Sequence, residues 1–151
     1  MSRNRGIGDL PRWAAALLVA CALMLSGCVA VAPESRDLEA KQFQPLPDKG
    51  VIYLVRGEPV YSDRPVPVWL GNFIMITTHP DTFFRWEVPP GTHRISGHDT
   101  DFGTITVAAE PGKLYFVMQQ LSYRYDISYF TLVEELDGRA AVRRATLLKG
   151  N

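Results

Sequence analysis

The chain has 151 residues, of which 16 are basic and 16 acidic, so its formal net charge at pH 7 is zero. This length allows one domain rather than two once an N-terminal leader is set aside. A nucleic-acid-binding protein would carry clustered Lys and Arg, and the sequence contains no such cluster, which excludes nucleic acid as a predicted partner.

The first 27 residues have the three parts of a secretory signal. Arg3, Arg5 and Arg12 precede an uncharged apolar run over residues 13–25, and small residues follow the run. A membrane-spanning helix needs about 20 apolar residues, so this run is too short for a transmembrane anchor. The sequence therefore predicts a signal peptide over residues 1–27.

The end of the apolar run carries a more specific pattern, Leu25-Ser26-Gly27-Cys28. It resembles the lipobox of bacterial lipoproteins, in which Leu, a small residue and Gly or Ala precede Cys. The resemblance implies that the Cys28 thiol receives a diacylglyceryl group and that a signal peptidase cuts between Gly27 and Cys28. Two or more acyl chains anchor a protein stably, because each buried CH₂ contributes about 0.8 kcal/mol. The alternative interpretation is a buried cysteine, or an ordinary signal that is cut elsewhere.

The lipobox interpretation accounts for both cysteines and predicts a location. Cys21 would leave with the signal and Cys28 would be acylated, so the mature chain would have no free thiol and no disulfide. In Gram-negative bacteria, Asp directly after the lipidated Cys tends to retain a lipoprotein in the inner membrane. Val29 and Ala30 stand there instead, which predicts attachment to the outer membrane with the domain facing the periplasm.

Residues 29–49 are interpreted as a tether, because three prolines interrupt them. The segment 37–43 has the composition of a short helix but little apolar face, so mostly extended chain is predicted. The predicted organisation is a signal peptide (1–27), a lipidated N terminus with its tether (28–49) and a folded domain (50–151).

From residue 50 onward, short runs rich in Val, Ile, Tyr, Phe and Thr alternate with turn residues, which predicts an all-β domain. Eight strands are predicted, over residues 51–56, 65–70, 73–78, 82–88, 92–98, 103–109, 113–122 and 129–136. Asp137 is predicted to cap a short helix that runs to about Arg144. The expected fold is a single antiparallel β-sandwich of about seven to eight strands with a short C-terminal helix.

Three of these strands carry finer predictions. The run at 51–56 is apolar on both faces and is predicted to be central, whereas the prolines in 65–70 predict an edge position or a late start. In the strand at 82–88, Phe84, Trp86 and Val88 are predicted to face the core.

The order of the segments resembles a group of bacterial domains commonly carried by lipoproteins. The matching stretches are GVIYLVR, PVPVWLGN, FRWEVPPGTHRIS, AAEPGKLYFV and LVEELDGRAAVRR, within about residues 49–147. They resemble the domain-of-unknown-function 2846 family and are similar to small β domains of the PEGA and transthyretin-like kind. The family usually has a VYLDGK hairpin, and VWLGN is one residue shorter. The resemblance implies a β-sandwich and no particular reaction.

Patterns that carry catalysis or metal binding are weak. The histidines are His79, His93 and His98. None has a short metal-ligand spacing to another, although a folded loop would allow His79 to approach His98 and Asp99. No serine lies in G-x-S-x-G or S-x-x-K, and the adjacent acids at 134–135 are predicted to point to opposite faces of a strand. The sequence therefore predicts no enzyme, no cofactor and no metal site.

Recognition is the remaining candidate function, because residues 122–130 interleave the Tyr and Arg side chains that interfaces favour. The candidate interaction residues are Tyr123, Arg124, Tyr125 and Tyr129. The alternative interpretation is a strand-connecting loop whose tyrosines cover the edge of the core. A second, weaker candidate surface comprises Tyr61, Arg64 and Trp69.

These observations predict a non-catalytic envelope lipoprotein, held in the membrane by the lipid on Cys28, whose domain binds an envelope protein or peptidoglycan. The alternative is a small periplasmic hydrolase or metal-dependent enzyme. A third prediction is an assembly role in which the tether sets the reach from the membrane.

Overall fold

A computed structural model describes residues 29–57, 62–97, 103–122 and 127–150. The elements in these ranges are α1 (Glu34–Ala40), β1 (Gly50–Arg56), β2 (Val66–Leu70), β3 (Ile74–Thr78), β4 (Thr82–Val88), β5 (Gly91–Ser96), β6 (Thr104–Ala109), β7 (Leu114–Leu121), β8 (Ser128–Val133), α2 (Glu135–Arg144) and β9 (Thr146–Leu147). The strands form a five-stranded sheet in the order β8-β7-β1-β4-β9 and a four-stranded sheet in the order β3-β2-β5-β6. The predicted all-β sandwich with a short C-terminal helix is confirmed. Neither helix in the described ranges has the length and apolar character needed to cross a membrane.

The strand β1 lies at the centre of the five-stranded sheet, as its two apolar faces predict. It pairs antiparallel with β4 and parallel with β7, and all of its residues are buried. One of its faces packs against the four-stranded sheet and the other against the helices. The described domain therefore has three layers, which are the helices, the five-stranded sheet and the four-stranded sheet.

Two clusters of buried side chains lie on opposite faces of the five-stranded sheet. The inter-sheet core contains Ile52, Leu54, Val68, Leu70, Ile76, Val88, Ile95, Val107, Ala109 and Val117. The helix-side core contains Ala40, Phe43, Val51, Tyr53, Val55, Phe83, Phe116, Ala141, Val142 and Ala145. Alternate residues of β1 enter the two cores in turn, because successive side chains of a strand point to opposite faces.

The strand β2 begins at Val66, directly after Pro65, so the predicted late start is confirmed. The edge position predicted as the alternative does not occur, because β3 and β5 flank the strand. β5 pairs only with Trp69 and Leu70, whereas β3 pairs along the whole strand. Pro67 therefore has a paired strand on one side only. Because proline lacks an N–H donor, it fits a position where one side of the strand forms no ladder hydrogen bonds.

The predicted core face of β4 is confirmed, since Phe84, Trp86 and Val88 pack with the inter-sheet core. Phe83, on the opposite face, is also fully buried, in the helix-side core. A strand in an ordinary two-layer sandwich would expose that face. Here the helix layer covers part of it, which the alternation within β4 alone does not reveal.

The prediction of mostly extended chain over residues 29–49 is wrong where α1 forms. The helix ends at Ala40, which is buried, and Phe43 follows as a buried member of the helix-side core. The hydroxyl of Tyr53 donates to the Ala40 carbonyl oxygen (2.8 Å) and fixes the end of the helix. Residues 29–49 contribute Ala40 and Phe43 to this core, and no apolar stripe along α1 is buried. Their sequence therefore lacks the periodicity of an amphipathic helix.

The start of the described chain pairs with its end. Backbone N–H groups of Ala32 and Lys149 donate to Leu147 and Ala30 (2.8 and 2.9 Å), and Val31 forms an antiparallel bridge with Leu148. Residues 30–32 thus run beside the segment that follows β9. The packed part of the chain begins well before residue 50.

The helix α2 starts three residues earlier than predicted. Its N-cap is Glu134, and Asp137 lies within the first turn. β8 ends at Val133, so the prediction that Glu134 and Glu135 occupy a strand is wrong. Glu135 instead pairs with Arg139 one turn further along α2.

Candidate functional site

The strands of both sheets turn at a shared end of the sandwich, which we call the loop end. β1, β3, β5 and β7 finish there, and β2, β4, β6 and β8 begin there, as the pairing registers require. A hydrogen bond from Arg56, the last residue of β1, to the carbonyl oxygen of Thr78, the last residue of β3, joins the two sheets at this end. Loops at one end of a rigid scaffold are the usual place for binding residues.

The buried polar side chains of the described chain collect at the loop end. They are Arg56, Thr78, Thr82, Gln119 and Ser128, which we call the polar layer. Each lies within two residues of the end of its strand, and Arg56 is in register with both Thr82 and Gln119. The apolar inter-sheet core therefore ends in a polar layer beneath the connecting loops.

Arg56 is the charged member of the polar layer and is 3% exposed. Its guanidinium donates to the carbonyl oxygens of Arg64 (2.7 Å), Thr78 (3.1 Å) and Ser62 (2.8 Å). These bonds fix the segment before β2 and the end of β3 on β1. A guanidinium keeps its proton at all physiological pH values, so Arg56 serves as a clamp and not as a general acid or base.

Gln119 and Ser128 occupy the side of the polar layer where β6 approaches β8. The Gln119 amide donates from Nε2 to Ser128 Oγ (2.9 Å), and its Oε1 has no hydrogen-bond partner among the described residues. A Cβ atom at Gly103 would lie 2.4 Å from the Ser128 carbonyl oxygen, and one at Gly97 would lie 2.9 Å from Ser128 Cβ. The two sheets therefore approach each other closely where Gly97 and Gly103 meet Ser128.

The predicted site residues have different outcomes. The lipobox and three of the four candidate interaction residues lie outside the described residues; these are Leu25, Ser26, Gly27, Cys28, Tyr123, Arg124 and Tyr125. The fourth, Tyr129, lies on β8 opposite Gln120 and is 47% exposed. In the second candidate surface, Tyr61 is also outside the described residues. Arg64 and Trp69 are described, and Trp69 pairs with Met75 in the hairpin.

The described histidines take part in local structure. The Thr82 hydroxyl donates to the His79 carbonyl oxygen (2.7 Å), which closes the turn before β4. His93 packs edge-on against Trp86, with ring centroids 5.4 Å apart, and its Nε2 donates to the Pro89 carbonyl oxygen (2.8 Å). His98 and Asp99 lie outside the described residues. Within the part of the chain that the structure describes, no three His, Cys, Asp or Glu residues are grouped to hold a metal ion.

A second polar network lies on the helix side of the five-stranded sheet. Tyr53 and Arg85 are cross-strand partners, and Arg85 also pairs with Glu87, which lies 3.5 Å from the Lys49 ammonium. Burial raises the pKa of Tyr53 above its usual value of 10.0. The hydrogen bond from Arg85 lowers the pKa of Glu87. The network holds residues near the start of β1 against β4.

Exposed apolar side chains divide between the two edges of the sandwich. Among the described residues, the large ones are Val29, Val31, Leu38, Phe73, Ile74, Met75, Tyr129, Leu132 and Leu136. The last three lie on β8 or just after it, and we call them the β8 edge. The first six lie beside β9 or on the β2–β3 hairpin, and we call them the β9 edge. Sequence reasoning found only Tyr129 among these residues, because edge position depends on strand order.

The β8 edge adjoins a surface groove of about 260 Å³. The groove is lined by Leu114, Tyr115, Phe116, Leu132, Val133, Glu134 and Glu135. An outermost strand presents backbone N–H and C=O groups that another chain can pair with, and exposed apolar side chains favour such pairing. Chemically, this edge is suited to binding an extended segment with a basic residue opposite Glu134, since Glu135 already pairs with Arg139.

No protein-family model matches this chain, and no curated protein matches it. The assignment of function therefore depends on the N-terminal motif, on the fold and on the two edges described above.

Proposed function

We propose that the protein is a non-catalytic envelope lipoprotein, anchored in the outer membrane through the lipid on Cys28, whose β-sandwich binds an envelope protein or peptidoglycan. The observation that carries the proposal is the position of the lipobox relative to the fold. Leu25-Ser26-Gly27-Cys28 ends one residue before Val29, and pairing with the C-terminal segment begins at Ala30.

This position fits cleavage before Cys28. The backbone bonds of Ala30 and Ala32 to Lys149 and Leu147 belong to residues that a cut at this point would leave in the mature chain. After cleavage the mature chain would carry 13 basic and 15 acidic residues, because residues 1–27 hold three Arg and one Asp. A folded domain directly after an acylated cysteine is a consistent product of lipoprotein processing.

A binding role is favoured over catalysis because the polar side chains already make structural contacts. The buried guanidinium of Arg56 donates to three carbonyl oxygens, and the His93 ring donates to Pro89 and packs against Trp86. The β8 edge, by contrast, exposes Tyr129, Leu132 and Leu136. The resemblance of residues 49–147 to domains carried by lipoproteins agrees with this role. We place the binding surface on the β8 edge.

Fatty-acid labelling in a Gram-negative host tests the anchor. Cys28→Ala is expected to abolish labelling and to leave an uncleaved or mislocalised precursor, because the acceptor thiol is gone. Cys21→Ala is the matched control and is expected to label and process normally. Labelling of Cys28→Ala at the level of the unchanged protein would refute the anchor.

Photocrosslinking in cells tests the binding surface. A crosslinking residue at Tyr129 or Leu132 is expected to capture the same envelope protein, or peptidoglycan, from both positions. Thr77, exposed on β3 at the β9 edge, is the control position. Leu132→Arg should reduce capture from Tyr129. Equal capture from Thr77 would show that the β8 edge is not the binding surface.

A further inference from the structure

The β9 edge brings together two apolar segments from distant parts of the sequence. One comprises Val29 and Val31 at the start of the described chain, with Leu38 on α1, whose neighbour Asp37 accepts a hydrogen bond from the Leu147 N–H (2.8 Å). The other is the tip of the β2–β3 hairpin, Phe73 to Met75. The side chains of both segments are exposed among the described residues, by 39% at Val29 and by as much as 96% at Phe73.

The strand order places both segments on one edge of the sandwich. β6 and β8, the outermost strands on one side, meet where Gly97 and Gly103 contact Ser128. The other outermost strands, β3 and β9, therefore lie at the opposite edge. A second contact agrees with this arrangement, since a Cβ at Gly71, at the end of β2, would lie 3.9 Å from the Trp86 ring of β4.

The hairpin tip is more apolar than its turn requires. Gly71 supplies the positive φ of the turn (64°), and Phe73 is 96% exposed, so its ring adds nothing to the core. Ile74 and Met75 are exposed by 41% and 51%. Contiguous exposed apolar residues are uncommon on a protein that contacts only water, and they mark binding surfaces.

The path of the chain indicates what lies beside this edge. A flexible tether of about 20 residues would have a typical reach of roughly 25 Å, and the domain would then sample many orientations. Residues 30–32 are instead paired with residues 147–149, so the chain leaves the β9 edge at Val29. Cys28 is one residue away, a distance of about 3.5 Å along the chain. A lipid on Cys28 would hold the β9 edge at the bilayer surface.

Two of the basic side chains beside this edge are paired, since Arg36 on α1 lies 3.6 Å from Glu39 and Lys41 lies 2.7 Å from Asp37. Lys149, whose backbone N–H donates to Ala30, adds a single exposed positive charge. An apolar contact with the bilayer should therefore depend little on salt or on the fraction of anionic lipid.

We propose that the Phe73–Met75 tip is a second, non-covalent membrane contact that inserts into the interfacial region of the bilayer holding the Cys28 lipid. The domain then lies edge-on, with the β9 edge against the lipid and the β8 edge directed away from it. This inference rests on the proposed lipid anchor and adds an orientation, in which the β8 edge faces the partner.

Site-specific fluorescence on the lipidated, mature protein tests the orientation. Acylation of Cys28 would leave the chain without a free thiol, so Phe73→Cys introduces a single site for an environment-sensitive dye. The protein is reconstituted into phosphatidylethanolamine–phosphatidylglycerol vesicles that contain a lipid-borne quencher. Leu136→Cys, on the opposite edge and 79% exposed, and Thr106→Cys are the matched controls.

We expect a blue-shifted emission and quenching at position 73 that is several-fold stronger than at position 136 or 106, and unchanged by high salt. Equal quenching at 73 and 136, on protein that floats with the vesicles, would overturn the orientation and leave the anchor intact. If the unchanged protein purified from the Gram-negative host carries no lipid and does not float with the vesicles, both proposals are overturned. Crosslinking from position 73 to another protein, without quenching, would assign the tip to a protein partner and would also contradict the inference.

Discussion

The inter-sheet core and the helix-side core share the five-stranded sheet but draw on different parts of the chain. The inter-sheet core is mostly aliphatic and comes from strands β1 to β7. The helix-side core is centred on four aromatic rings and takes Phe43 from the N-terminal segment and Val142 from α2. The inter-sheet core is therefore assembled from the alternation within the strands. The helix-side core forms only when both ends of the chain fold back onto the sheet.

The rings of the helix-side core contact one another directly. Tyr53 and Phe116 stack with centroids 5.2 Å apart, and Phe43 lies 5.4 Å from Tyr53. The guanidinium carbon of Arg139 on α2 lies 4.6 Å from the centroid of the Phe43 ring. Such contacts add cation–π attraction to the burial of the ring. Phe43 thus links the N-terminal segment to α2, and it does so with a positive φ of 54°.

The largest expected effect comes from truncating Phe43. Phe43→Ala should lower the free energy of unfolding by about 4 kcal/mol, comparable to the loss from Leu54→Ala in the inter-sheet core, because both side chains are buried. Phe73→Ala, the same change on the exposed tip, should alter it by less than about 0.5 kcal/mol. Denaturant unfolding followed by circular dichroism measures all three. A negligible effect at Phe43 would mean that residues 29–49 are a free tether after all.

An intermediate effect is expected where α2 meets the sheet. A Cβ at Gly138 would lie 2.2 Å from Cγ and 2.3 Å from Cβ of Phe116. Gly138→Ala should therefore destabilise the domain by about 2 kcal/mol, even though Ala favours a helix over Gly by about 1 kcal/mol. Gly57→Ala is the control, since no atom of the described residues, chain neighbours aside, lies within 4 Å of the added carbon. Thermal unfolding of both variants tests this, and a stabilised Gly138→Ala would mean that α2 can move away from the sheet.

The smallest expected effect concerns the Tyr53 hydroxyl. Tyr53→Phe removes its hydrogen bond to Ala40 and should reduce stability by about 1 kcal/mol at neutral pH. Burial raises the pKa of Tyr53 in the folded protein, so the neutral form stabilises the fold below about pH 10. That stability is lost as the pH rises from the unfolded pKa through the higher folded pKa.

Urea unfolding at several pH values from 7 to 11 measures this loss. The unchanged protein should lose stability above about pH 10 more steeply than Tyr53→Phe. Tyr115→Phe removes a hydroxyl on the inter-sheet face, where it accepts an exposed hydrogen bond from the Glu110 N–H, and should leave the alkaline loss in place. Identical alkaline profiles for the unchanged protein and Tyr53→Phe would contradict the role given to this hydroxyl.

The strands were predictable because their signals are local. Alternation of apolar and polar residues marks β4, and the two apolar faces of β1 predict its central place before any partner is known. The lipobox is equally local, since a peptidase and an acyltransferase would read a few consecutive residues. The burial of Phe43 was not predictable. Its partners Phe116 and Arg139 lie far away in the sequence, and α1, which directly precedes it, has no apolar stripe.

The candidate surfaces show the same difference between local sequence signals and features that depend on strand order. Tyr129 was singled out by composition, and it lies on β8 with 47% of its surface exposed. Leu132 gave no signal, since a leucine near the end of a strand looks the same in sequence whether that strand is central or outermost. Leu136, in the first turn of α2, gave none either. The polar layer was also missed, because Gln119 and Ser128 become neighbours only through the pairing of β7 with β8.

The sequence by itself determined the strands of this protein, its β class and the motif that predicts its lipid anchor, because each depends on residues close together in the chain. Only the tertiary structure decided that the segment after Cys28 packs onto the domain, that a helix layer covers the five-stranded sheet and that apolar residues collect on two opposite edges. These features depend on strand order and on contacts between the two ends of the chain, and free energies of burial are realised only when those distant surfaces meet.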